Sequence, residues 1–567
     1  MKHFKEIVQW CCDPRRLFIL FIAVLVIPNV VLSFTEPLPL LARISNIVLP
    51  MALYWLVMTF NRKPGVMIWI LFPIVFFAAF QLVLLYLFGQ SIIAVDMFLN
   101  LATTNSGEAM ELLDNLLPAV IGVFVVYLPT LVLGVVSILG DKKLEPAFIH
   151  RQRRYAFLAV GIGVLLTIGS YLNDRDYRIK IDMYPFNVCY NLVLAIDRAE
   201  QAAKYKQTSK DFTFHAQSER GSEQPEVYVL VVGETARTCN FGIYGYERNT
   251  TPLLKDTKGL VAYPDVLTQS NTTHKSVPML LSAASAEDYD CIYHQKGVIT
   301  AFKEAGFQTA FFSNQSPNHS FIDFFGMEAD HWKFIRENTP EDANISDDEL
   351  LKLVDRELQN KHRKLFIVLH TYGSHFNYRE RYPEADAVFK PDSLTDAKYT
   401  NRASLVNAFD NTIHYTDGFL AKLIQKLKDT NVSSAMLYTS DHGEDIFDDN
   451  RKLFLHASPV PSYYQLHVPF LIWMSDAYQQ NNPSQYAAVC ENREKSVSSN
   501  ASVFHTILSL GGVKTEYLND SLSVANKQYT PRQRHYLNDH NLPKPLDKIG
   551  LKKEDIEQFH QRHIEYP

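Results

Sequence analysis

Residues 435–444, Ala435-Met436-Leu437-Tyr438-Thr439-Ser440-Asp441-His442-Gly443-Glu444, join an apolar run to metal-binding side chains. An apolar run of this length is typical of a buried strand. The carboxylate of Asp441 and the imidazole of His442 follow directly, and both groups are common ligands of Zn²⁺. A second apolar run, residues 227–232, ends in the same manner before Glu234. The two strand ends together predict a metal site, although each residue taken singly is more often a capping or salt-bridge residue.

The chain after residue 226 alternates short β-rich runs with helical patterns. The β-rich runs are residues 227–232, 308–312, 365–370, 435–439 and 467–473. The helical patterns are residues 296–305, 347–359, 403–427 and 499–510. This alternation predicts an α/β domain with a mostly parallel central sheet, in which ligands collect beyond the carboxyl ends of the strands.

Long apolar runs dominate the chain before residue 175. They are residues 17–34, 44–60, 67–88, 116–139 and 155–172. Each approaches the roughly 20 residues that a helix needs to cross a bilayer. Lysine and arginine concentrate in the loops on one side of the predicted membrane. Short loops that are rich in these residues normally face the cytoplasm. Five spans with a cytoplasmic N-terminus place everything after residue 172 outside the cytoplasm.

Residues 176–225 connect the two predicted domains. Residues 184–206 are amphipathic, which predicts either a helix on the membrane surface or an ordinary surface helix. Residues 208–225 are polar and predict a linker. Four cysteines follow the last predicted span, at positions 189, 239, 291 and 490. Four thiols allow three pairings, and the sequence does not distinguish them.

The charge balance argues against a nucleic-acid partner. The chain has 55 Lys and Arg residues against 61 Asp and Glu residues. Proteins that bind nucleic acid normally present a surplus of positive charge to the phosphates. We therefore expect this protein not to bind nucleic acid.

Two threonines, Thr272 and Thr273, precede an apolar helical run at residues 279–284. A hydroxyl near a helix N-terminus lies beside backbone N–H groups that favour phosphate. A metal-bound hydroxyl is also a competent nucleophile. The alternative is that either threonine only caps the helix. Two histidines, His375 and His456, are candidates for binding phosphate, for proton transfer or for a second metal, although a chain with 19 histidines has many that do none of these.

These motifs resemble the membrane-bound phosphoethanolamine transferases of Gram-negative bacteria, a branch of the alkaline phosphatase and sulfatase superfamily. The resemblance extends from the apolar runs to about residue 515. It rests on the segments Val231-Val232-Gly233-Glu234-Thr235-Ala236-Arg237, Tyr244-Gly245-Tyr246, Asn249-Thr250-Thr251-Pro252, Ser276-Val277-Pro278 and Ser440-Asp441-His442-Gly443-Glu444. It implies a five-helix transmembrane domain at residues 1–175, an interfacial helix and linker at 176–225, and a sulfatase-like α/β domain at 226–567 that faces the periplasm from the bacterial inner membrane.

For the metal site, the resemblance implies that Glu234, Thr273, Asp441 and His442 hold one catalytic Zn²⁺. Thr273 is implied as the nucleophile because the nucleophile of the family lies three residues before the serine of the Ser-Val-Pro segment. The implied reaction moves phosphoethanolamine from phosphatidylethanolamine to lipid A or to a sugar of the lipopolysaccharide core. It proceeds through a phosphothreonine and releases diacylglycerol.

For the substrates, the resemblance implies further contacts. His375 and His456 match two phosphate-contacting histidines that can also hold a second zinc. Gln315 and His319 align with an asparagine and a lysine that contact the phosphoethanolamine group, and both differ here in type. The loop before the fourth span places Asn105 and Glu108 where the family binds the lipid donor, unless this is simply a solvated acidic loop.

One departure from the family lies just after the Ser-Val-Pro segment, where the best-known lipid A-modifying members begin a disulfide and this chain has Met279. Residues 378–382 look more like the branch that acts on the lipopolysaccharide core.

Two alternative functions stay open. One is a phosphoglycerol transferase or another membrane hydrolase of the superfamily, although the cysteine motif of sulfatases is absent from the sequence. The other is a membrane scaffold or sensor without turnover.

Overall fold

The computed structural model describes residues 13–36, 38–88, 93–103, 106–221, 225–339, 344–360, 364–394 and 396–566. The chain divides into two compact units. The first is Met1–Leu99 with Leu112–Asp197, and the second is Asn100–Glu111 with Arg198–Pro567.

The first unit is built from long apolar helices. They are α1 (Pro14–Thr35), α2 (Leu40–Met58), α3 (Pro64–Ile70), α4 (Phe72–Phe88), α5 (Val95–Thr103), α6 (Ser106–Leu139) and α7 (Pro146–Asn173). In the described part of the chain, four of these are long and apolar enough to cross a membrane: α1, α2, α6 from Ala119, and α7. Helices α3 and α4 qualify together as a fifth span that is bent by 63°. The predicted third span, residues 67–88, thus overlaps a bent helix pair and not one straight helix.

Small residues bring α2 and α7 close together. A Cβ atom added to Gly163 in α7 would lie 2.8 Å from the Cα atom of Leu49 in α2. The hydroxyl oxygens of Ser45 and Thr167 also lie 2.7 Å apart across the same two helices. Small and hydroxylated residues are typical of contacts between membrane helices.

Helix α8 (Phe186–Ala203) lies within the predicted amphipathic stretch and is flanked by two short helices, Ile179–Asp182 and Tyr205–Thr208. The stretch predicted as a linker follows. Phe214 is fully buried there, and the strand Gln217–Ser218 pairs with Val513–Lys514. This part of the predicted linker therefore packs into the second unit. The cysteines at positions 189, 239, 291 and 490 are all free thiols.

A seven-stranded sheet forms the centre of the second unit. Its strands are β1 (Glu226–Gly233), β2 (Leu260–Ala262), β3 (Gln308–Ser313), β4 (His331–Phe334), β5 (Lys364–His370), β6 (Ser433–Ser440) and β7 (Phe470–Met474). Their order across the sheet is β2-β7-β6-β1-β5-β3-β4. Strands β6, β1, β5, β3 and β4 run parallel, whereas β7 is antiparallel to both of its neighbours. The predicted mostly parallel sheet is confirmed.

Helices cover both faces of this sheet. They are α9 (Thr273–Leu280), α10 (Val298–Glu304), α11 (Asp348–Gln359), α12 (Arg402–Asp429) and α13 (Ser499–Gly511). Alternate residues of β1 enter two different hydrophobic clusters. Tyr228, Leu230 and Val232 pack with residues of α10 and α13, and the valines between them pack with residues of α11 and α12. Such a strand, buried on both faces, explains why its sequence is continuously apolar.

Shorter elements complete the second unit. The helices are Pro252–Lys255, Phe321–Gly326, Tyr463–Leu466, Asp476–Asn481, Pro483–Glu491 and Lys553–Gln561. The paired strands are Asp445–Ile446 with Phe454–Leu455, Val266–Leu267 with Val497–Ser498, and His535–Leu537 with Pro543–Pro545.

Truncation of Leu230 tests the central position of β1. Its side chain is fully buried, and Leu→Ala changes in such positions lower the free energy of unfolding by about 2–5 kcal/mol. We expect Leu230→Ala to show this loss in chemical unfolding of the detergent-solubilised protein. Leu253→Ala is the matched control, because Leu253 is 53% exposed. Equal losses in the two variants would contradict the assigned core.

Candidate metal centre and catalytic residues

Three predicted metal ligands come together because β1 and β6 are neighbouring parallel strands. Gly233 at the end of β1 lies opposite Ser440 at the end of β6. Glu234 follows the first strand, and Asp441 and His442 follow the second. One ligand atom from each of these three residues lies within 4.8 Å of the others. All three side chains are almost completely buried.

The protonation of His442 leaves a lone pair directed into this cluster. Its Nδ1 atom lies 3.0 Å from the carbonyl oxygen of Gly443. Since a carbonyl only accepts hydrogen bonds, Nδ1 carries the hydrogen and Nε2 keeps its lone pair. Burial lowers the pKa of His442 well below its usual value, so the ring is neutral. Nε2 is 3.2 Å from Oδ2 of Asp441 and 3.8 Å from Oε1 of Glu234.

Once both carboxyl groups are ionised, these atoms are acceptors that face one another. Within the described residues, Oδ2 of Asp441 has no hydrogen-bond partner. Burial raises the pKa of Asp441 to about 6, and burial together with the neighbouring carboxylate raises that of Glu234. Converging oxygen and nitrogen acceptors in a buried place suit a Zn²⁺ ion. The donor set therefore fits the metal that the sequence predicts.

Thr273 completes the predicted set. It is the first residue of α9, and its Oγ1 atom lies 3.0 Å from Nε2 of His442 and 3.4 Å from Oε1 of Glu234. Thr272 is the N-cap residue, yet its side chain makes no capping hydrogen bond and lies 3.1 Å from the hydroxyl of Ser270. The hydroxyl of Thr273 is thus directed into the cluster, and the capping alternative does not describe either threonine.

Thr235 supports two ligands at once, a role that the sequence analysis missed. Its backbone N–H donates to Oδ1 of Asp441 at 3.0 Å, and its hydroxyl donates to Oε1 of Glu234 at 2.8 Å. Its φ angle is +61°, which is unusual for a β-branched residue. Strained backbone of this kind concentrates at functional sites, where the surrounding contacts hold it. The residue type at this position gave no sign of the left-handed backbone.

The loop after β5 packs directly against the backbone of Glu234. The amide of Ser374 donates to the carbonyl oxygen of Glu234 at 2.9 Å. Gly373 has a φ angle of +51°, and an added Cβ atom would lie 2.7 Å from the same carbonyl oxygen. Only glycine fits this close approach without displacement.

His375 and His456 lie in a row with His442. The ring centroids of His442 and His456 are 4.1 Å apart, and those of His456 and His375 are 6.4 Å apart. Nδ1 of His456 is 3.3 Å from a carboxylate oxygen of Glu444, whose other oxygen accepts from the hydroxyl of Tyr378. Burial lowers the pKa of His375 to about 3. The structure thus brings both predicted histidines to the metal centre.

The other predicted substrate contacts are Gln315, His319, Asn105 and Glu108. The Gln315 amide donates to Oε2 of Glu234 at 3.1 Å and to the carbonyl of Thr371 at 3.2 Å, so Gln315 orients the carboxylate of Glu234. His319 donates its backbone N–H to Asp323 at 2.5 Å, and no contact within the described part of the chain joins its side chain to the cluster. Asn105 and the Glu108 side chain lie outside the described residues.

The fold and the candidate metal centre define a sulfatase-like protein with an apolar helical unit. The sulfatase family profile matches residues 226–513, so the chain belongs to the sulfatase family.

Within this family, the chain is a homologue of phosphoethanolamine transferases. It is 26% identical over 482 residues to the phosphoethanolamine transferase EptC of Escherichia coli K12, covering 79% of each chain. It is 29% identical over 299 residues to the Kdo(2)-lipid A phosphoethanolamine 7''-transferase of the same strain, covering 50% of each chain.

Two solved structures share the fold. The C-terminal periplasmic domain of E. coli EptC in complex with Zn is 25% identical, with a TM-score of 0.55, and the match covers 60% of this chain and 97% of that domain. The integral membrane EptA of Neisseria meningitidis is 23% identical, with a TM-score of 0.69, and the match covers 88% of this chain and 98% of that one. The second match extends the shared fold over the apolar helices.

Zinc should stabilise this protein more strongly as the pH rises. Because the pKa of Asp441 is raised to about 6, its carboxyl group stabilises the folded metal-free protein at low pH, and this contribution is lost as the pH rises through that value. A metal must displace that proton at low pH. We expect the zinc-induced rise in melting temperature to be larger at about pH 7.5 than at about pH 5.

Asp441→Asn should remove the zinc-induced rise at both pH values. Asp476→Asn is the matched control, since Asp476 is exposed. A rise of equal size at both pH values, or a rise that survives in Asp441→Asn, would contradict the metal centre.

Proposed function

We propose that this protein transfers phosphoethanolamine from phosphatidylethanolamine to lipid A or to a lipopolysaccharide core sugar. It does so in the inner membrane of a bacterium, with its second unit in the periplasm. The observation that carries the proposal is the Thr273 hydroxyl, 3.0 Å from Nε2 of His442 among converging carboxylates. The names of the homologues support phosphoethanolamine as the transferred group and lipid A as an acceptor. The apolar helices long enough to cross a membrane support a lipid donor.

In the first half-reaction, Thr273 is the nucleophile. A zinc ion held by Glu234, Asp441 and His442 would supply a lower pKa for this hydroxyl and would stabilise negative charge on the phosphoryl oxygens. The Thr273 oxygen attacks phosphorus in line, the bond from phosphorus to the glycerol oxygen breaks, and diacylglycerol leaves with the proton. Thr273 then carries phosphoethanolamine.

In the second half-reaction, an acceptor hydroxyl or phosphate oxygen attacks the phosphothreonine. The new bond forms as the bond to the Thr273 oxygen breaks, and the proton of the acceptor hydroxyl or protonated phosphate passes to the Thr273 oxygen. His375 faces this step as a hydrogen-bond acceptor, because its ring holds the Nδ1 hydrogen toward the carbonyl oxygen of Phe376. The ring of His456 is held beside it by the carboxylate of Glu444. An acceptor group that donates to Nε2 of His375 is oriented for attack.

The transferred group changes the charge of the acceptor surface. Each phosphoethanolamine brings an ammonium that offsets negative charge on lipid A or the core. A less negative surface attracts cationic peptides such as polymyxin less strongly. We expect cells with this enzyme to bind less of them.

Intact-mass measurement of the purified protein tests the nucleophile. After exposure to phosphatidylethanolamine, the wild type should gain one phosphoethanolamine, and peptide mapping should place it on Thr273. Thr273→Ala should show no adduct and should lose transfer by a factor of about 10³ or more. The neighbouring Thr272→Ala is the matched control and should keep the adduct.

Retained transfer in Thr273→Ala would refute the assignment. A parallel reaction with labelled phosphatidylglycerol tests the alternative of a phosphoglycerol transferase. A phosphoglycerol adduct in place of phosphoethanolamine would overturn the proposed donor.

A further inference from the structure

Tyr372 occupies an unusual position beside the metal centre. It lies in the loop after β5, and its ring is approached by two guanidinium groups. The Cζ atoms of Arg336 and Arg381 lie 4.1 Å and 4.2 Å from the ring centroid. The imidazole of His375 stacks against the same ring, with centroids 5.3 Å apart and planes inclined by 25°. Guanidinium groups bind aromatic faces favourably, especially where water is partly excluded.

Arg381 also holds the backbone around His375. Its Nε atom donates to the carbonyl oxygen of His375 at 2.8 Å, and Nη2 donates to the carbonyl oxygen of Phe376 at 3.0 Å. Its side chain is only 5% exposed. One planar guanidinium thus fixes two successive carbonyl groups while it lies over the ring of Tyr372.

The ring of His375 is fixed at the same point. Its Nδ1 atom lies 2.6 Å from the carbonyl oxygen of Phe376. Since this oxygen only accepts, Nδ1 carries the hydrogen and Nε2 has the lone pair. Arg381 holds the carbonyl oxygen that fixes the tautomer of His375. Tyr372 stacks on the imidazole and so restrains its plane.

The main chain of this loop is anchored independently. The amides of Tyr372 and Gly373 donate to the two carboxylate oxygens of Asp347 at 2.8 Å and 3.0 Å. The amide of Ser374 donates to the carbonyl oxygen of Glu234. Loss of the Tyr372 ring therefore leaves the course of the loop supported and removes chiefly the restraint on the imidazole.

We propose that Tyr372 and Arg381 are positioning residues that align His375 for the attack of the acceptor on the phosphothreonine. The inference rests on the proposed function and deepens it. The ring face is what matters, because both the guanidinium contacts and the imidazole stack use it. Small errors in the orientation of a group that positions a reactant reduce the rate strongly.

To test this positioning role, the two half-reactions are measured separately on the full-length, zinc-loaded protein. Adduct formation is followed with phosphatidylethanolamine alone, and discharge is followed after adding purified lipopolysaccharide that carries both lipid A and core. Tyr372→Leu should slow discharge by about 10-fold to 100-fold and leave adduct formation within about threefold of wild type. Tyr372→Phe keeps the ring face and should restore the discharge rate.

A double-mutant cycle shows whether Tyr372 acts through His375. If it does, Tyr372→Leu should slow discharge in the wild type but should have almost no further effect in His375→Ala. Arg381→Lys keeps the charge but loses the paired contact to two carbonyls, and it should behave as Tyr372→Leu does. It also serves as the second variant should Tyr372→Leu fail to retain zinc.

Equal slowing by Tyr372→Leu in both backgrounds would overturn the inference, as would adduct formation slowed as much as discharge. Failure of the proposed function looks different, because the wild type itself would then form no adduct.

Discussion

The parallel pairing of β1 with β6 is the constraint on which the rest of this structure depends. It sets Gly233 opposite Ser440, so that a carboxylate leaving one strand meets a carboxylate and an imidazole leaving the other. Because all three groups are buried, the ionised carboxylates are unfavourable unless protons or a cation neutralise them. The fold thus forms a place suited to a cation and sets the hydroxyl of Thr273 beside it.

Several independent contacts hold Glu234 against this repulsion. Its carboxylate accepts hydrogen bonds from Thr235 and Gln315, and its carbonyl oxygen accepts one from Ser374. Outer contacts of this kind fix the orientation of a metal ligand before the metal arrives. The left-handed backbone of Thr235 is maintained because the same residue bonds both Glu234 and Asp441.

The sequence predicts the strands well, and it predicts which side chains meet at their ends, because buried parallel strands are continuously apolar and their ends are marked by polar residues. It places the last predicted strand at residue 467, but β7 begins at Phe470. Pro469 explains this difference, since a proline cannot donate to the ladder. The sequence does not predict the short edge strand β4, because most of its side chains are exposed and it has no continuous apolar run.

The sequence predicts Gln315 as a substrate contact but does not predict its hydrogen bond to Glu234. That contact depends on how the end of β3 approaches β1 across the sheet, with β5 between them. Likewise, the polar composition of residues 208–225 hides a buried Phe214. A partner that comes from a distant part of the chain leaves no local signal in the sequence.

Anomalous diffraction at the zinc edge from crystals of the full-length protein tests whether Glu234, Asp441 and His442 hold a zinc ion. We predict one strong peak at about 2.0–2.2 Å from oxygen and nitrogen atoms of these three residues, with the Thr273 hydroxyl beside it. A zinc-replete crystal without density at that position, or with the ion bound only by other residues, would contradict it.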